Sequence, residues 1–179
     1  MRRFMLNGFV LGGLALILPA CGASHSDTPV VAVVVSTDPG IETFAEEGSM
    51  HVPLGSVVVY STDPPTSGDH YPIAVGGGYY EFEIEAPYLV HSMEHGGAII
   101  YYHPGVVTNS QKNSLKALAR DHPGVFGQVV CVPRNDAAYP IILTAWTRRL
   151  RLSTYDQDRI DGFLALFLDQ GPESAPTTP

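Results

Sequence analysis

Two histidines, a methionine and a glutamate lie within five consecutive residues of this chain, at positions 91–95. Neutral imidazole binds zinc and copper, and a thioether sulfur favours the softer Cu(I). Few structural roles require this combination of side chains. The sequence H-S-M-E-H therefore predicts a metal site, with copper favoured over zinc.

His91 and His95 come together in either regular conformation of this segment. In a strand, residues 91, 93 and 95 share one face, so that Met93 joins the imidazoles while Glu94 points away. In a helix, the two histidines meet because they are four residues apart, and Met93 turns away. Because two glycines follow at once, we expect an extended or tightly turned segment, with Met93 as an additional ligand.

A second motif upstream supplies a third histidine. Two prolines and a glycine within residues 64–72 predict a rigid turn that presents Asp69 and His70. His70 would complete a set of three imidazoles with the two already named, which is enough for copper or zinc with an open coordination position. Asp69 and Glu94 are expected to hydrogen-bond the ligands and fix their orientation.

Simpler roles remain open for each histidine. His70 alone could be a hydrogen-bonded loop residue, and the histidines of residues 91–95 could be a buried pair bonded to the backbone. His103 could be a fourth ligand or could support the ligands by a hydrogen bond. His51 and His122 are expected to be surface or loop residues.

The same five residues match H-x-x-E-H, the inverted zinc-peptidase motif, in which two histidines bind zinc and the glutamate activates water. That motif requires a helix and a distant acidic ligand. Glu173 is suitably distant but lies among glycine and proline. We therefore expect a metal-binding protein with an accessory or metal-handling role rather than an enzyme. Two alternatives are kept: a zinc-dependent hydrolase with Glu94 as the general base, and a structural lipoprotein subunit of a membrane complex.

The N-terminus has the pattern of a bacterial lipoprotein signal. Arg2 and Arg3 precede an apolar run over residues 4–18, and a small residue stands before Cys21. The run is short for a membrane-spanning helix, which disfavours an uncleaved membrane helix. That helix and an ordinary signal peptide are the two alternatives to a lipoprotein signal. We expect cleavage after residue 20, lipidation of Cys21 and attachment to the periplasmic or outer face of a bacterial membrane, with a membrane protein complex as a candidate partner.

The mature chain would be acidic and without a disulfide. Loss of Arg2 and Arg3 leaves 8 basic residues against 18 acidic ones, which disfavours nucleic-acid binding. With Cys21 lipidated, Cys131 has no partner within the chain. Since it lies among valines, we expect it to be a buried core residue rather than a thiolate ligand.

The remaining pattern predicts one α+β domain over residues 51–170, preceded by an anchor and tether (21–50) and followed by a disordered tail (171–179). We expect a mostly antiparallel sheet with two packed helices. Strands are predicted at residues 56–61, 79–84, 98–102, 128–132 and 140–146, and helices at 109–119 and 155–169.

Several short motifs occur together in this chain: P-P-T-S-G-D-H at 64–70, L-V-H-S-M-E-H-G at 89–96, Y-Y at 101–102, A-W at 145–146 and G-P-E at 171–173. In this combination they resemble the bacterial domain-of-unknown-function family 3105. The resemblance covers residues 45–175 and implies an exported or membrane-anchored domain without assigning a reaction. In that family the position of Met93 is often leucine, which shifts the expected ligand set towards His70, His91 and His95.

Overall fold

A mixed β-sheet organises the part of the chain that the computed structural model describes, residues 40–136 and 138–174. The predicted signal peptide, Cys21, most of the predicted tether and residues 175–179 lie outside this part. In chain order the elements are β1 (Ile41–Thr43), β2 (Gly78–Tyr79), α1 (Ala86–Glu94), β3 (Ala98–Tyr102), α2 (Asn109–Asp121), β4 (Val129–Pro133), β5 (Ile141–Ala145), β6 (Arg148–Leu152) and α3 (Gln157–Phe167).

The six strands lie in the order β1-β6-β5-β3-β4-β2. Strand β3 is central, as its apolar sequence predicts, and pairs antiparallel with β5 and parallel with β4. The sheet is mixed, because β2 also runs parallel to β4 while β1, β6 and β5 pair antiparallel. The α+β prediction is confirmed, with three helices instead of two; α1 is the unpredicted helix.

Alternation along the strands divides the core into two faces. Ala98, Ile100 and Tyr102 of β3 belong to an apolar cluster with residues of α2 and α3, which we call the α2/α3 face. Ile99 and Tyr101 project to the opposite side and pack with Leu89, Val90 and Met93 of α1, which we call the α1 face. Each face is continued by β4 and β5 with the same alternation.

Residues 91–94 are helical and His95 caps the helix, so the expectation of an extended or tightly turned segment was wrong. Pro87 lies in the first turn of α1, where backbone N–H groups have no partner within the helix, so that its lack of an N–H costs no hydrogen bond. His95 is the C-cap, and Gly96 follows with φ +81°, a conformation that favours glycine and ends the helix. The two glycines therefore stop the helix after His95 and do not exclude it.

The sheet includes residues upstream of the predicted domain boundary at residue 51. Strand β1 pairs with β6, and the Trp146 indole N–H donates to Glu46 at 3.3 Å. Residues 56–61 and 80–84 form no strand, in contrast to the prediction. Within the described residues, no helix has the length and apolar character needed to cross a membrane.

Candidate metal centre

Three imidazoles and one carboxylate converge beside the end of α1. His51, His70, His91 and Glu94 each offer a ligating atom, and these four atoms all lie within 4.8 Å of one another. His70, His91 and Glu94 are buried, whereas the His51 side chain is 47% exposed. The cluster is therefore a largely buried site that solvent reaches at His51.

His51 enters the site through backbone pairing with His70. The His70 N–H donates to the Met50 carbonyl at 3.0 Å, and the Val52 N–H donates to the His70 carbonyl at 2.8 Å. This isolated parallel bridge places the two imidazole centroids 5.0 Å apart. His51 was expected to be an ordinary surface or loop residue, and sequence reasoning missed it because no local motif marks it.

Asp69 supports this pairing without joining the cluster. Its Oδ1 accepts from the Met50 N–H at 3.2 Å, and its carbonyl accepts from the Tyr60 hydroxyl at 2.8 Å. The turn over residues 64–72 therefore presents His70 to the site and uses Asp69 to hold the segment that carries His51.

His70 directs an unprotonated nitrogen at a carboxylate when it is neutral. Its Nδ1 must donate to the Gly68 carbonyl at 2.8 Å, because a carbonyl can only accept. The lone pair on Nε2 then lies 2.9 Å from Glu94 Oε2, and both side chains are almost fully buried. Two acceptors at this distance require a shared proton or a metal cation between them.

His91 also has an unprotonated, unpaired nitrogen in this arrangement. His95 Nδ1 donates to the Glu173 carbonyl at 3.3 Å, so a neutral His95 accepts at Nε2 from His91 Nε2, 2.9 Å away. His91 Nδ1 is then a bare acceptor, and it is buried without a hydrogen-bond partner. Burial and the neighbouring imidazoles of His95, His70 and His51 lower the pKa of His91 to about 4, so it is neutral at neutral pH.

The C-terminal segment lies across the end of α1. The Glu173 N–H donates to the Glu94 carbonyl at 2.9 Å, and the Asp169 N–H donates to the Gly96 carbonyl at 2.8 Å. Glu94, His95 and Glu173 form a second group whose ligating atoms lie within 4.8 Å of one another. Residues 171–174, predicted as the start of a disordered tail, therefore bring a carboxylate to the site.

Met93 and His103, which the sequence suggested as ligands, lie outside both groups of ligating residues. The Cys131 thiol is not in a form that binds metal. Met93 is fully buried in the apolar cluster of the α1 face, on the side of the helix that the helical alternative predicts. His103 follows β3, where its Nδ1 accepts from the Gly105 N–H at 3.1 Å, and it belongs to neither group of ligating residues. Burial raises the pKa of Cys131 to about 12, which keeps the thiol protonated.

The domain that carries this site matches a known protein family. A family model described as a protein of unknown function (DUF3105) matches residues 51–178. Neither the curated proteins nor the solved structures contain a match. The matched region begins at His51 and includes both groups of ligating residues. The family resemblance seen in the sequence motifs is confirmed, and the chain belongs to the DUF3105 family.

Proposed function

We propose that this protein binds a transition-metal ion through His51, His70, His91 and Glu94, with copper favoured over zinc. One observation carries the proposal: His70 Nε2 and Glu94 Oε2, both hydrogen-bond acceptors when His70 is neutral, lie 2.9 Å apart and are buried. A cation between the two acceptors would satisfy both of them, and His51 and His91 supply further nitrogens within reach of the same point.

A protonated His70 paired with Glu94 is the non-metal alternative. That ion pair satisfies one nitrogen, but it leaves His91 Nδ1 buried and unpartnered. It also does not account for His51, whose ring stacks on that of His91 with centroids 4.9 Å apart. Leaving a buried polar atom unpaired costs about 1–3 kcal/mol, so a metal ion explains more of the cluster than a proton does.

The donor types favour Cu(II) over Cu(I) and over zinc. Three imidazoles and a carboxylate form a nitrogen and oxygen set that suits divalent copper or zinc. Met93 packs in the apolar cluster, which removes the sulfur that pointed to Cu(I). For a given nitrogen and oxygen site, affinity generally rises from zinc to Cu(II).

We further propose that the site is carried by an exported lipoprotein. The support is the sequence pattern before Cys21, in which Arg2 and Arg3, an apolar run and a small residue precede the cysteine. A lipid on Cys21 would hold the metal domain at a membrane surface through a short tether. That position would suit an accessory or metal-handling role beside a membrane complex.

A zinc-dependent hydrolase is the second candidate, and two observations favour it. The H-x-x-E-H segment is helical, and Glu173 lies beside His95, with His95 Nδ1 4.0 Å from Glu173 Oε2. These are the helix and the distant acidic residue that the motif requires. In this role Glu94 would act as general base, so Glu94→Gln would abolish turnover while zinc stays bound; loss of the metal in that variant would contradict a purely catalytic role.

Metal uptake by the full chain, prepared without a histidine tag and stripped with a chelator, tests the main proposal. We expect tight uptake of Cu²⁺ by elemental analysis, and competition in which Cu²⁺ displaces Zn²⁺. His51→Ala should weaken uptake at least tenfold, because it removes one of four ligands. His122→Ala is the matched control, since His122 belongs to neither group of ligating residues, and should leave uptake unchanged. A stripped protein that takes up no metal would overturn the proposal and favour a structural role for the histidines.

A further inference from the structure

We infer that this centre holds two metal ions, with Glu94, His95 and Glu173 forming a second position that shares Glu94 with the first. The inference rests on the proposed metal-binding function and extends it. The first position is formed by three imidazoles and one carboxylate, whereas the second combines one imidazole with two carboxylates. We call them the inner and outer positions, because Glu173 is 57% exposed and His70 is fully buried.

Glu94 is placed to bridge the two positions. His70 Nε2 and His51 Nε2 both approach the same carboxylate oxygen, Oε2, at 2.9 and 3.6 Å. Neither imidazole engages Oε1, so the second oxygen of the carboxylate is free to serve another ion. Carboxylate bridging of this kind holds metal ions about 3.5–4 Å apart in two-metal sites.

The backbone that carries Glu173 is held against the end of α1, so the outer position does not depend on the conformation of the exposed Glu173 side chain alone. The segment that carries Glu173 is bonded to α1 through the Glu94 carbonyl, as described above. A Cβ atom at Gly171 would lie 2.2 Å from the Glu94 carbonyl oxygen, and one at Gly96 would lie 2.8 Å from the Asp169 Cα. Glycine at both places therefore permits the approach that brings Glu173 to His95.

The charges of the two carboxylates also favour a cation near Glu173. Oxygen atoms of Glu94 and Glu173 lie within 4.8 Å of each other, and Glu94 is almost fully buried. Within the described residues, the ion-pair partners of both carboxylates are histidines. Two carboxylates this close repel each other, and a divalent ion between Glu173, His95 and Glu94 would remove that repulsion. Binding of this ion would replace one of the two hydrogen bonds that engage the ring nitrogens of His95, either to the Glu173 carbonyl or to His91 Nε2.

Copper stoichiometry combined with electron paramagnetic resonance tests the inference. The metal-stripped full chain is titrated with Cu²⁺ and its copper content is counted by native mass spectrometry. We expect two ions per chain and a signal well below two spins, because two Cu²⁺ ions sharing a carboxylate couple magnetically. Glu173→Gln and His95→Ala should each bind one ion with the full signal of one spin. Glu81→Gln is the matched control, an exposed carboxylate paired with Lys116, and should bind two.

Each other outcome is decisive. One ion per chain in the wild-type protein would overturn the second position and leave the proposed function intact. Two ions with the full signal of two separate spins would also overturn it, because the second ion would then lie away from Glu94. Absence of bound copper would overturn both proposals together.

Discussion

The two faces of the sheet differ in what they bury. The α2/α3 face is filled by aliphatic and aromatic side chains, among them Leu115 of α2 and Phe163 of α3. Beside the α1 face the chain buries His70, His91 and Glu94, together with serine, threonine and glutamine side chains. The same strands therefore pack against an apolar cluster on both sides, and the buried polar site lies beside the cluster of the α1 face.

We expect this difference to separate the residues that set the stability of the domain from the residues that can bind a ligand. Burial of apolar area is the main favourable term in folding, and the α2/α3 face supplies it without polar cost. Buried imidazoles and a buried carboxylate lose hydration that hydrogen bonds only partly replace. Both apolar clusters therefore stabilise the domain, and we propose that the polar cluster beside the α1 face serves the metal ion proposed above.

The largest expected effect is on the α2/α3 face. Phe163 is fully buried and contacts Phe167, with ring centroids 5.0 Å apart. Phe163→Ala should lower the free energy of unfolding by about 3–5 kcal/mol, because it removes apolar contacts and leaves a cavity. Urea denaturation measures this loss. Copper uptake per folded molecule should stay at the wild-type level; a loss of uptake would show that the two faces are not independent.

Metal binding should give the next largest change in the free energy of unfolding, and this change should depend on the residues of the polar cluster. Copper at a hundredfold excess over its Kd should raise the free energy of unfolding by about 2.7 kcal/mol, since it binds only the folded state. His51→Ala should reduce this gain while changing the stability of the metal-free protein by no more than about 0.5 kcal/mol, because half of the side chain is exposed. Thermal denaturation with and without Cu²⁺ measures both quantities, and a metal-free destabilisation of several kcal/mol would indicate a structural His51.

Gly171→Ala tests whether the C-terminal segment must pack against the end of α1 for copper to bind. The added Cβ would meet the Glu94 carbonyl oxygen at 2.2 Å, so the C-terminal segment must move, at a cost of about 1–3 kcal/mol. We also expect weaker copper binding, because Glu173 moves with the segment. Gly162→Ala in α3 is the matched control: its Cβ meets no atom within 4 Å, and alanine should stabilise the helix by about 0.5–1 kcal/mol. Equal effects of the two substitutions on copper binding would contradict this placement of Glu173.

The smallest expected effect is at the N-terminus of α2. Thr108 accepts from the Gln111 N–H, and the Gln111 side chain accepts from the Thr108 N–H. Thr108→Ala should lower the free energy of unfolding by about 1 kcal/mol, because the capping box is lost. Thr108→Ser should retain most of that stability. Chemical denaturation resolves the difference, and copper binding should be identical in both variants.

The sequence predicted the parts of this centre that depend on local geometry. His91 and His95 are four residues apart and meet in either conformation, so their contact did not depend on assigning the helix. The helix itself has readable signals, Pro87 in its first turn and Gly96 after its C-cap, but the glycines were interpreted as evidence against it. Central strand β3 was predicted because a buried strand in the middle of a sheet is apolar on both faces.

The remaining parts depend on contacts between distant segments. His51 joins His70 through a parallel backbone bridge, and nothing in the residues around His51 encodes that register. Glu173 reaches His95 because the chain after α3 returns to the end of α1. Such contacts arise from the packing of the whole domain, so the sequence alone placed His51 on the surface and residue 173 in a tail.

The bridge between His51 and His70 has a mechanical consequence. Cys131 is the free cysteine of the described residues, so this domain has no disulfide there to fasten one segment to another. A metal ion held by His51 and Glu94 would act as a removable cross-link that closes a loop of roughly 40 residues; by the chain-entropy estimate for a covalent cross-link, such a loop is worth about 4 kcal/mol. Chelation would then remove one of the contacts that hold the segment around His51, and limited proteolysis near His51 should be faster in the metal-free protein.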